Sequence, residues 1–132
     1  ALEDVGEMRD DPLVDYVDTA WCHRARHRGW RLYGAGLAKM THDMGDAALN
    51  VWFFGWRQEA AYSPERVYYR VRHFVALCRM SHIEFRFKVR HAWFSLGDVY
   101  SQVFFGRQRR EALGMALKGL RDGIAGHLGP HV

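Results

Sequence analysis

The chain has 132 residues, 48% hydrophobic and 26% charged, which is the composition of a folded domain rather than a disordered tail. Its formal net charge is +4 and its pI about 9.3, so phosphate-bearing partners are favoured without one class being chosen. Two cysteines, Cys22 and Cys78, make neither a C-x-x-C motif nor a disulfide framework, and free thiols in a reducing compartment are expected.

The first residues, Ala1 to Asp11, are polar and acidic, unlike a signal peptide, and no apolar run is long enough to span a bilayer. The absence of an initial Met points to a processed or excised product. A helix is expected from Asp18 to Arg28, with Asp18 as N-cap and Gly29 as stop. Trp30-Arg31-Leu32-Tyr33 alternates and is expected as a strand. Gly34 and Gly36 permit a turn, and a second short strand is expected over 38–42. Helix, strand, loop, strand is an α/β pattern.

Residues 47–62 carry Trp52, Phe53, Phe54 and Trp56 around Gly55 and fit no single period. They suit an aromatic connector or a segment at a membrane interface. Ser63-Pro64 is an N-cap with proline at the first helical position, and Val67, Val71, Phe74, Val75 and Cys78 follow at helical spacing. A second helix is expected over 84–104, with Val89, Trp93, Leu96, Tyr100 and Val103 on one side. A third is expected over 107–124, with Leu113, Leu117, Leu120 and Ile124 on one side. Three zones follow: 1–46, 47–62 and a helical 63–132.

Several segments carry a more specific pattern. Asp15-Tyr16-Val17-Asp18-Thr19-Ala20-Trp21-Cys22-His23-Arg24 is followed by Gly29-Trp30-Arg31-Leu32-Tyr33-Gly34 and by Met40-Thr41-His42-Asp43-Met44-Gly45-Asp46. This order resembles the C-terminal half of the catalytic domain of bacterial family 2 glycosyltransferases, and rhamnosyltransferases above all. Tyr68-Tyr69 with Arg70 and Arg72, and Gly119-Leu120-Arg121-Asp122-Gly123 with Gly126 and Gly129, resemble the helical tail of the same enzymes.

The resemblance implies an α/β fold: the C-terminal portion of a GT-A-type nucleotide-sugar transferase domain, followed by a mainly α-helical tail. It implies inverting transfer of a sugar, rhamnose from dTDP-rhamnose, to a polysaccharide or lipid-linked glycan acceptor. Asp18 matches the family's general base, a task a carboxylate can perform; an ordinary N-cap is the other reading. In the galactofuranosyltransferases, which look similar over the same stretch, a His at the position of His42 helps hold a divalent metal, Mg²⁺ or Mn²⁺; a strand-end histidine is the alternative. Asp15, Trp21, Arg24 and Asp46 are candidates for substrate binding, or for turn, packing and solvated roles.

Ala20, His23 and His73 depart from the family's usual residues. The nucleotide-binding half, with its Asp-x-Asp-type motif, is expected ahead of Ala1; as a fragment without it, the chain is expected to be inactive. The implied location is the cytoplasmic face of the membrane. The basic, aromatic-rich helices suit a bundle that packs on the missing half with solvated basic faces, or, as the alternative, a module that binds an anionic membrane surface; nucleic acid has only the charge in its favour. The eight histidines show no H-E-x-x-H or paired-ligand spacing, which disfavours a metal hydrolase.

Overall fold

A computed structural model describes residues 2–8, 16–37, 39 and 47–129. Among them the fold is mixed: five helices and one two-stranded antiparallel sheet. The helices are α1 (Leu2–Val5), α2 (Val17–His27), α3 (Pro64–Cys78), α4 (Phe85–Phe105) and α5 (Arg109–Ala125); the strands are β1 (Ala47–Trp52) and β2 (Trp56–Ala61).

The expected first helix forms, but Tyr16 rather than Asp18 is its N-cap, which moves Asp18 inside the first turn. Gly29 follows the helix with φ +87°, the left-handed backbone that glycine adopts freely. The strand expected at Trp30–Tyr33 is absent, and the segment is irregular. No described strand lies beside it, and an unpaired strand leaves its ladder groups unsatisfied. Trp30 instead donates from Nε1 to Asp4 Oδ2 at 2.7 Å. The second expected strand falls almost entirely outside the described residues.

The aromatic zone is a hairpin. Ala47 pairs with Ala61 and Trp52 with Trp56, and Phe53-Phe54-Gly55 form the tip. Phe54 and Gly55 have φ of 53° and 149°, so the turn places a bulky residue in left-handed backbone. No single period fitted this segment because its aromatic residues crowd the tip instead of alternating along the strands. The hairpin rests on α4: Gln102 donates from Nε2 to Ala60 O (3.0 Å) and accepts from Tyr62 N at Oε1 (3.1 Å).

Ser63 caps α3 as expected, its side chain accepting from Arg66 N. The closest packing is α3 against α5. Small residues on α5 (Ala112, Ala116, Gly119 and Gly123) are buried and admit the neighbouring backbone. A Cβ on Gly119 would stand 2.5 Å from Tyr68 O, and one on Gly123 2.8 Å from Val75 Cβ. The expected leucine stripe lies on one side of α5, but that side faces outward, with Leu117 60% exposed. On α4, likewise, Val89, Trp93 and Leu96 are exposed, whereas Ser95, Ser101 and Gln102 are buried.

A polar network crosses the α3–α5 seam. Arg72, 1% exposed, donates to Tyr68 Oη (3.2 Å), Gly129 O (2.7 Å) and Leu128 O (3.2 Å). Tyr68 Oη in turn donates to Asp122 Oδ2 at 3.0 Å. Burial pushes the Asp122 carboxyl up, but the bonds from Tyr68 and Arg121 outweigh it and hold the group below its ordinary value. The guanidinium thus ties the segment after α5 to α3. Arg72→Met leaves two carbonyls and a tyrosine hydroxyl without their donor and is expected to cost about 3 kcal/mol in urea unfolding.

Three histidines add a pH dependence. Burial lowers the pKa of His23, His82 and His91 from the usual 6.5, and nearby arginines push the same way. The folded chain therefore keeps them neutral where the unfolded chain takes up protons. Their contribution is present above pH 6.5 and is lost as pH falls through the lowered values. Tm is expected to fall between pH 7 and about pH 5, and His91→Gln to flatten that slope.

Candidate functional site

Helix α2 carries the candidate site. Asp18 is exposed at the second helical position, where the unpaired N–H groups and the helix dipole favour a negative charge. Its Oδ1 accepts from Thr19 N at 2.7 Å, with Thr19 Oγ1 at 3.5 Å. A carboxylate so placed is open to an incoming hydroxyl and tethered on one oxygen.

Trp21 and Arg24 follow at three-residue spacing and reach the N-terminal segment. Trp21 Nε1 donates to Gly6 O (2.9 Å) and Arg24 NH2 to Glu7 O (2.8 Å). Both therefore hold residues 6–7 against α2. Asp15, His42 and Asp46 lie outside the described residues. Among the described residues, no group of three or more His, Cys, Asp or Glu side chains converges to hold a metal ion. Asp18 is one of several exposed carboxylates among the described residues, and what distinguishes its place is the first turn of α2.

Two features escaped sequence reasoning. An apolar groove of about 270 Å³ lies between the hairpin and α4, lined in part by Phe53, Trp93, Phe94 and Tyr100. At its edge Arg70 pairs with Asp98 and stacks over Tyr62 at 4.7 Å. A second, cationic cavity of about 560 Å³ opens between α2 and the start of α4, lined by His23, Arg26, Glu84, Arg86, Phe87 and Arg90. His23, noted above as a departure from the family pattern, was the one available signal for it.

No family model and no solved structure matches the chain. Among curated proteins it is 31% identical over 128 residues to the "dTDP-rhamnosyl transferase RfbF" of Shigella flexneri. The match covers 97% of this chain and 42% of that protein, so the chain spans less than half the length of the curated relative it matches. No helix among the described residues is long and apolar enough to cross a membrane.

Proposed function

We propose, on the premise that this chain is a C-terminal piece of a rhamnosyltransferase-like protein, that it carries the acceptor side of an inverting glycosyltransferase of GT-A type. Asp18 takes the proton from an acceptor hydroxyl. That oxygen attacks the anomeric carbon of dTDP-rhamnose, the bond from that carbon to the diphosphate oxygen breaks, and dTDP leaves with the electron pair. The observation that carries this reading is the exposed Asp18 carboxylate at the start of α2, within the motif order from Asp15 to Asp46. A divalent metal with His42 among its ligands belongs to the same reading, as do Asp15 and Asp46 on the substrate side.

The donor diphosphate is held by the nucleotide-binding half expected ahead of this chain, so transfer requires both parts. The acceptor is a polysaccharide or a lipid-linked glycan. The hairpin tip supports work at a membrane surface: Phe54 is 91% and Trp56 73% exposed on a chain of net charge +4. The test is to supply the protein containing both halves with labelled dTDP-rhamnose beside other nucleotide-sugars. Incorporation of rhamnose into the glycan is expected; transfer of a different sugar alone overturns the donor assignment.

A further inference from the structure

Helix α5 presents a second side outward. Leu113, Leu117, Leu120 and Ile124 lie on it, between 43% and 62% exposed, while α3 takes the side with Gly119 and Gly123. Their spacings of four, three and four residues extend back to Arg110, three residues before Leu113. This alternation keeps a row of side chains in line against another helix crossing at a shallow angle. A continuous apolar row left in water is a liability unless a partner covers it.

The charges of α5 identify the helix that fits. Arg109 and Arg110 are its first two residues, at the end where the helix dipole disfavours cations. Glu111, the one acid of that turn, accepts from Gln108 Nε2 at 2.8 Å and offsets only one of the two arginines. The last turn carries no basic residue, although that end favours one. Each end therefore has in surplus what the other lacks, and an antiparallel copy of the same helix corrects both at once. With a two-fold axis between residues 118 and 119, Leu113 meets the partner's Ile124 and Leu117 meets the partner's Leu120. The exposed Arg110 then reaches the closing carbonyls of the partner's helix.

We propose that the outer side of α5 is a self-association surface and that the protein forms a two-fold dimer through antiparallel α5 helices. Leu113, Leu117, Leu120 and Ile124 form the seam, and Arg110 closes it at each end. Such an interface is self-complementary, as a two-fold contact must be. Helix α3 of each copy flanks the pair, which gives a layer of four helices. The surface stands on this chain's own geometry and does not depend on Asp18.

The experiment is sedimentation of the longer protein that contains this chain, over a range of concentrations. A dimer that dissociates on dilution is expected. Leu117→Glu/Leu120→Glu places four carboxylates at the centre of the seam and is expected to weaken the dimer at least about tenfold. Both side chains are exposed in the single copy, so an unchanged circular dichroism spectrum separates lost pairing from lost folding. Arg110→Ala reads the direction of pairing: antiparallel helices lose a favourable cation at each end and the dimer is expected to weaken several-fold, whereas parallel helices lose a repulsion. Tighter pairing in Arg110→Ala overturns the antiparallel arrangement. A monomer at every concentration overturns the proposal and leaves the row to the preceding half of the protein. A dimer as tight in Leu117→Glu/Leu120→Glu as in the parent overturns it too, as does equal weakening by Trp93→Ser, which alters an exposed apolar residue on α4 instead. Asp18→Asn is expected to dimerise as the parent does, so this result is separable from the transfer reading.

Discussion

On the proposed reading, Asp18→Asn in a protein that joins this chain to a nucleotide-binding half is expected to lower turnover by about a thousandfold, the middle of the range for a positioned general base. The amide keeps the size of the side chain and its carbonyl can still accept from Thr19 N, so the helix start is preserved. Because Asp18 is exposed and is not the cap, thermal stability is expected to change by less than about 0.5 kcal/mol. The two readouts separate the roles. A capping role would lower Tm and leave turnover intact; a base lowers turnover and leaves Tm intact. Asp18→Glu keeps the carboxylate but moves it by a methylene, and partial recovery of activity is expected.

Gly119→Ala is expected to destabilise the chain by about 3 kcal/mol, because its methyl group would stand 2.5 Å from the backbone oxygen of Tyr68. Neither partner is a flexible side chain, so relief requires α3 and α5 to separate, and that would stretch the bonds linking Arg72 and Tyr68 to the residues around Asp122. Gly114→Ala is the internal control. Nothing lies within 4 Å of its Cβ, and helix propensity alone should stabilise the chain by about 1 kcal/mol. Opposite signs from the same substitution on one helix would locate the close approach at Gly119; equal signs would refute it.

Local signals read well from the sequence where the cause is local. Ser63-Pro64 started α3, Gly29 followed α2, and the three long helices fell within about two residues of their expected spans. Readings that depended on what lies beside an element fared differently. Leu113, Leu117, Leu120 and Ile124 form the regular apolar side of α5, yet the buried side is the one with Gly119 and Gly123, because only small residues let α3 approach. Periodicity records which side chains share a face, not which face meets a neighbour. The strand at Trp30–Tyr33 failed for a related reason: its alternation is genuine, but no described strand pairs with it.

The candidate site divides in the same way. Asp18 is a candidate through the order of motifs around it, and the structure shows only its place within the first turn of α2. Trp21 and Arg24, expected near substrate or in packing, reach Gly6 and Glu7. The cationic cavity joins α2 to residues about sixty positions further on, and no spacing rule connects His23 with Arg86 and Arg90. Only the departure at His23 hinted at it.

The most direct test of the account is the release of dTDP from dTDP-rhamnose by the protein containing this chain and its nucleotide-binding half, measured with and without glycan acceptor, for the parent and for Asp18→Ala. The account predicts fast release that depends on acceptor in the parent and is lost in the variant. Release that persists undiminished in Asp18→Ala, with rhamnose still joined to the acceptor, would contradict it.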